Sequence, residues 1–191
     1  RRTDLSSTVC SPIDMQPFYD ALPFSLTDAQ RRAAGEAMAD MCGKTPMNRL
    51  CQGDVGSGKT MVAAACIYFA AQNGYQSALM APTELLAQQH YHSLAPLLEK
   101  LGVRCALLTG SLSAKTKKSI RAQLETGEIA VAVGTQALIS RDVTFSSLGL
   151  VVADEQHRFG VAQRAALSAK AEKPHVLVMS ATPIPRTLAL M

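Results

Sequence analysis

GDVGSGKT at positions 53–60 constrains this chain more than any other stretch of it. It fits G-x-x-x-x-G-K-[ST] at every fixed position, follows an apolar run at 49–52 and opens a stretch of helical character. Gly53, Gly56 and Gly58 let the backbone turn tightly enough for its N–H groups to face phosphate oxygens. The start of the next helix adds its positive dipole end. Lys59 is then placed for the β- and γ-phosphates, and Thr60 offers a hydroxyl to Mg²⁺. Asp54, Val55 and Ser57 complete the loop; Asp54 puts a negative charge in an anion-binding turn, for which charge gives no reason. A plain glycine-rich turn is the competing reading, and it loses because both the string and its context match. A strand feeding directly into a helix through such a loop requires an α/β fold.

A second motif supports the first. DEQH at 154–157 directly follows Leu150-Val151-Val152-Ala153, a run suited to a strand buried on both faces. Carboxylates at the C-terminal end of such a strand lie on the ligand-binding edge of an open α/β sheet. Asp154 is the natural partner of Mg²⁺. Glu155 is the candidate to orient and deprotonate an attacking water. Gln156 and His157 either link the γ-phosphate to another segment or bond locally.

The remaining pattern agrees. Strands are expected at 49–52, 77–81, 104–108, 129–133, 148–153 and 175–180. Helices are expected at 28–42, 58–72, 83–100, 114–126 and 161–169, with Pro96 kinking or restarting the third. Alternating elements of this kind predict an α/β domain with a mostly parallel sheet and helices on both faces. Residues 1–23, with Pro12, Pro17 and Pro23, read as a linker or edge segment, and 24–191 as the ATP-binding domain. The first residue is not Met and the last four are LALM, so both ends look cut from something larger.

At 191 residues with 18% charged side chains, the chain is a globular domain without a disorder signature. No apolar run approaches the ~20 residues of a membrane span, and no secretory pattern opens the chain. The five cysteines are odd in number and lack CxxC spacing, which argues against a disulfide framework or zinc site and fits a reducing cytoplasm. A net charge of +4 permits a polyanionic partner.

Seven blocks, in order, make the chain resemble superfamily 2 helicases: LPFSLTDAQ at 22–30, PMNRLCQGDVGSGKT at 46–60, MAPTELLAQQHY at 80–91, LTGSL at 108–112, GTQALI at 134–139, DEQHRFGVAQR at 154–164 and SATPIPRTLAL at 180–190. Within that superfamily it looks like the first motor domain of the bacterial helicases that remodel branched DNA. The resemblance implies a RecA-like P-loop domain, ATP and Mg²⁺ as cofactors, DNA as partner through mainly backbone contacts, and a bacterial cytoplasmic location. It implies that Gln30 reads adenine with Phe24 nearby, although Thr27-x-x-Gln30 is also a helix-start capping box. Pro82, Thr83, Glu84, Thr109, Gly110, Gly134, Thr135 and Gln136 match segments that touch the DNA backbone, with Thr83 equally suited to a plain helix cap. Ser180, Ala181 and Thr182 match the segment that couples hydrolysis to movement, together with Gln156 and His157. A second RecA-like domain and a wedge domain of the same parent chain would complete such an enzyme, which unwinds Holliday junctions and regresses stalled forks.

The transcription–repair coupling ATPases share HRFG and ATPIPRT, but their motif reads DEEH and their loop GFGKT; Gln156 and Ser57 therefore side with the branched-DNA helicases. A non-helicase P-loop protein is the third option. A switch GTPase carries a guanine-reading N-K-x-D, which this sequence lacks, and no transporter-ATPase signature loop precedes the DEQH motif. His90 and His92 sit two apart, on different faces of a helix, which disfavours a metal site. Lys115, Lys117, Lys118 and Arg121 form a basic cluster that could be a nucleic-acid surface but reads first as a solvated helix face. Trp is absent, so no base-stacking platform is evident.

Overall fold

Among the described residues, five of six short strands are largely buried on both faces and covered by helices, while the edge strand at 48–52 leaves one face exposed. The computed structural model describes residues 13–53, 58–155 and 161–180. Its elements are α1 (Gln16–Ala21), α2 (Asp28–Met41), β1 (Asn48–Gln52), α3 (Lys59–Gln72), β2 (Gln76–Met80), α4 (Glu84–Lys100), β3 (Cys105–Leu108), α5 (Ala114–Thr126), β4 (Val131–Gly134), a 3-10 turn (Gln136–Ile139), β5 (Leu148–Glu155), α6 (Val161–Ser168) and β6 (His175–Ser180). The sheet order is β1-β6-β5-β2-β4-β3. Every pairing among these strands is parallel, where a mostly parallel sheet was expected.

Strand alternation sorts the core into two halves. Leu79, Val131, Val133, Leu150, Val152, Leu177 and Met179 face α2, α3 and α4. Ala78, Met80, Ala106, Leu108, Ala132 and Val151 face α5, α6 and the 3-10 turn. Helix α3 is buried nearly all round, from Val62 to Ala70, so it is a central helix rather than an amphipathic cover. Among the buried polar residues, Gln76 and His175 both bond backbone. Gln76 donates to the carbonyls of Leu124 and Ile129 and accepts from the Ser147 N–H, while His175 Nδ1 accepts from the Met47 N–H at 2.9 Å.

Three sequence expectations change. Helix α4 runs through Pro96 without restarting. Pro96 is exposed while Leu94, Ala95, Leu97 and Leu98 are buried, so packing holds the helix and the lost backbone bond faces water. The segment read as a linker or edge segment contains α1, whose Phe18 is fully buried and stacks on Tyr68 at 5.8 Å. Cys42 is disulfide-bonded, where cysteine spacing argued against a disulfide framework. Spacing along the chain does not report a pair joined by tertiary structure. Cys51, Cys66 and Cys105 are free, and burial pushes the thiols of Cys66 and Cys105 up to about 12.

Gly134 shows how tightly the sheet edge is built. A Cβ there would lie 2.1 Å from the Leu108 carbonyl oxygen, on the backbone of the neighbouring strand, which cannot rotate aside as a side chain can. Gly134→Ala should destabilise the domain by about 1–3 kcal/mol. That is a fall in Tm of roughly 2–12 °C for a domain of this size. A thermal melt indistinguishable from wild type would contradict the β3–β4 register.

Candidate nucleotide and DNA edge

In a parallel sheet all C-terminal strand ends lie on one edge, and here the strand order divides that edge in two. The phosphate-loop strand β1, the carboxylate strand β5 and β6 form one contiguous half. Strands β2, β4 and β3, which lead into Pro82-Thr83-Glu84, Gly134-Thr135-Gln136 and Thr109-Gly110, form the other.

On the first half, β1 ends at Gln52 and α3 begins at Lys59. Gly58 caps α3 with φ 82°, a left-handed conformation that favours glycine. A Cβ at Gly58 would also lie 2.0 Å from Gln30 Nε2, so the Gln30 amide rests against the phosphate loop. Gln30 at the same time closes the capping box of α2: its Oε1 accepts from the Thr27 N–H at 2.9 Å, and its own N–H donates to Thr27 Oγ1 at 3.1 Å. The capping role is therefore real, and it holds Gln30 beside the loop. Phe24, 53% exposed, leaves an aromatic surface open on the same segment. The Lys59 ammonium donates to the Gly53 carbonyl at 2.5 Å. Burial raises the Cys51 thiol beneath it, with the Lys59 charge opposing. Asp54, Val55, Gly56 and Ser57 lie outside the described residues.

Ser180 sits between the two nucleotide motifs. In β6 it is level with Gln52 of β1 on one side and Glu155 of β5 on the other, and its carbonyl accepts from the Gly53 N–H at 3.2 Å. Asp154 continues the alternation of Leu150 and Val152 and so faces α3 and α4. Its Oδ2 lies 2.7 Å from His90 Nε2 of α4, with the two side chains 15% and 13% exposed. The sequence reading missed this pair, having weighed His90 only as a partner for His92. A signal was present: His90 interrupts the buried stripe of Ala87, Leu94 and Leu98. The Glu155 side chain, Gln156, His157, Ala181 and Thr182 lie outside the described residues.

The second half of the edge holds a cavity of about 440 Å³ lined by Glu84, Gly110, Lys117, Arg121, Thr135 and Gln136 among others. Lys117 and Arg121 therefore turn into the groove rather than standing on a solvated face, and Lys117 Nζ donates to the Gly110 carbonyl at 2.7 Å. Thr83 Oγ1 caps α4 by accepting from the Leu86 N–H at 3.2 Å, which is the plain-cap reading. Glu84 Oε1 accepts from the Ser111 N–H at 3.0 Å, so the acidic residue in this groove fastens the Thr109-Gly110 loop to α4. Two residues expected at the surface lie beneath it: Thr109 is 1% exposed and Gly134 is buried, and both support the groove from below.

Known proteins can now be set beside this geometry. A model of the DEAD/DEAH box helicases matches residues 27–191. The chain belongs to the DEAD/DEAH box helicase family. Within that family it is 57% identical over 92% of its length to the ATP-dependent DNA helicase RecG of Synechocystis, covering 21% of that protein. It is 55% identical over 93% of its length to RecG of Bacillus subtilis, covering 26%. A solved structure of RecG bound to a three-way DNA junction superimposes with a TM-score of 0.79 at 48% identity, over 91% of this chain and 23% of that one. The likeness to the branched-DNA helicases read from the seven blocks is thus borne out, and the RecA-like fold with it. The chain spans about a quarter of the length of the curated relatives it matches.

The residues present suit a magnesium nucleotide. An ammonium, a helix N-terminus behind a left-handed glycine and a hydroxyl gather on one side, and a largely buried carboxylate stands at the end of β5. Among the described residues no three His, Cys, Asp or Glu side chains gather to hold a metal ion. A cation held by Asp154 and Thr60 would then complete its shell from phosphate and water, as Mg²⁺ does.

Proposed function

We propose that this helicase-family domain is the nucleotide-binding half of an ATP-driven motor that moves on and remodels branched DNA. The divided sheet edge carries this reading: nucleotide motifs end one set of three adjacent strands, DNA-facing motifs end the other, and β5 and β2 meet in the middle. Lys59 holds the β- and γ-phosphates and contributes to catalysis with Asp154 and Glu155. Thr60 and Asp154 would hold Mg²⁺, whose charge would draw phosphate electron density. Glu155 orients the attacking water. Phe24 and Gln30 receive the adenine, and Ser180, between the two motifs, passes the state of the phosphates to the backbone of both, with Ala181, Thr182, Gln156 and His157 continuing that path.

On the DNA half, Pro82, Thr83, Gly110, Thr135 and Gln136 contact phosphates, with Lys117 and Arg121 supplying positive charge and Glu84, Thr109 and Gly134 shaping the groove. Contacts of this kind fix position without reading sequence. Among the described residues no helix is long and apolar enough to cross a membrane, and the named relatives are bacterial helicases, which fits work on DNA in the bacterial cytoplasm. A second RecA-like domain and a wedge domain of the same parent chain would complete the enzyme.

The test is ATPase activity of the full-length protein with and without a synthetic three-way or four-way junction. Junction DNA should stimulate turnover at least about tenfold, and stimulation should fall steeply with added salt because backbone contacts release counterions. Turnover indifferent to any DNA would exclude a motor on DNA and leave a different P-loop enzyme.

A further inference from the structure

We propose that His90 is a positioning residue for the Asp154 carboxylate, and that α4 makes it a rigid link between the two halves of the sheet edge. This rests on the nucleotide role of Asp154 argued above. A histidine in the buried stripe of a helix is costly unless its ring nitrogens find partners. Gln76 and His175, buried elsewhere in the core, bond backbone groups in the interior. His90 instead spends Nε2 on a side chain 64 residues away, at 2.7 Å, on the ligand edge.

The chemistry of the pair is directional. An ionised carboxylate only accepts hydrogen bonds, so the His90 Nε2–H donates to Oδ2. That leaves the second oxygen with its full accepting capacity while the tie holds the carboxylate in one orientation. Partners of this kind orient a metal-holding carboxylate and raise its affinity.

Helix α4 is fastened at its other end as well. Glu84 binds the Ser111 N–H of the loop after β3, and Thr83 caps the first turn. Seven residues separate Thr83 from His90, about 10 Å along a helix axis. A DNA backbone that displaces the Thr83-Glu84 end therefore displaces the imidazole that holds Asp154. DNA contact reaches the metal carboxylate through one rigid element rather than through a chain of loops.

Two variants of the full-length enzyme test this. His90→Leu keeps an apolar residue in the stripe of Ala87, Leu94 and Leu98 but removes the donor. His90→Gln restores an N–H at similar reach. The readouts are Mn²⁺ affinity by electron paramagnetic resonance with a non-hydrolysable ATP analogue, Tm, and the ratio of DNA-stimulated to basal ATPase. For His90→Leu, Tm should hold or rise, Mn²⁺ affinity should fall about tenfold, and His90→Gln should return to within about threefold of wild type. The stimulation ratio should fall in His90→Leu with DNA affinity unchanged. Wild-type Mn²⁺ affinity in His90→Leu overturns the positioning role, as does equal loss in both variants. Equal proportional loss of basal and stimulated rates overturns the link. Wild-type enzyme that binds no Mn²⁺–nucleotide at all sinks the nucleotide assignment itself, and this proposal with it.

Discussion

Lys59→Ala should abolish measurable ATP binding in the full-length enzyme and lower turnover by about 10²–10³, the usual cost of removing one preorganised group that stabilises transition-state charge. The affinity loss follows from what the ammonium does. Its bond to the Gly53 carbonyl joins a charge to a neutral acceptor, whereas phosphate oxygens offer charge on both sides and bonds roughly twice as strong. Exchanging one for the other favours the loaded state, and alanine forfeits that gain. The fold should not suffer, because Lys59 stands at the first position of α3 and is partly exposed, while the buried residues that anchor the helix begin at Val62. Lys59→Arg is not a safe substitute, since a planar fork does not occupy the place of a compact point charge. Equilibrium binding of a fluorescent ATP analogue, read with a melting curve, checks both halves. Unchanged affinity in the alanine variant would refute the phosphate-loop assignment outright.

Most of the fold was legible because it rests on local signals. The expected bounds of β6 and α5 match those observed, and the other expected elements differ by a residue or two at their ends, while α1 and the 3-10 turn were not expected. Strands buried on both faces announce themselves as Val- and Leu-rich runs, and the phosphate loop carries its own strand and helix. Sheet order was not legible: nothing local places β6 between β1 and β5, yet that placement sets Ser180 between Gly53 and Glu155. The side-chain roles on the DNA half were the least legible. A motif supplies residue names, while exposure decides which of them reach the surface, and Thr109 and Gly134 do not. Glu84 accepts from the Ser111 N–H and Lys117 donates to the Gly110 carbonyl in the same cavity, and neither contact is legible in a motif because each joins separate segments. His90 was readable in principle as a polar break in an apolar stripe. Its partner was not, because that contact joins residues 64 positions apart.

The isolated 191-residue chain should bind magnesium nucleotide weakly and hydrolyse it about 10³–10⁵ times more slowly than the full-length enzyme, the range attributed to a missing arginine finger in related phosphoryl transfer. At 1.36 kcal/mol per decade that is about 4–7 kcal/mol of barrier. The geometry explains why so much is lost. Lys59, Thr60, Asp154 and Glu155 all stand on one edge of the sheet, so a nucleotide bound as proposed would be approached from one side only. Charge developing on the transferred phosphoryl group would then face outward from that edge. Three described arginines do not answer it: Arg49 pairs with Asp40 and Glu36, Arg104 with Glu128, and Arg121 with Asp142 at 3.8 Å on the DNA half. A second RecA-like domain closing over the edge would supply the missing cations and exclude water, which strengthens every electrostatic contact inside. DNA added to the isolated chain should therefore change its turnover little, because both grooves would be half built. Single-turnover and steady-state hydrolysis by the chain and by the full-length enzyme, with and without junction DNA, provide the comparison. Robust DNA-stimulated turnover by the chain alone would mean that one wall suffices, and that the arginine-finger role belongs to a residue of this domain.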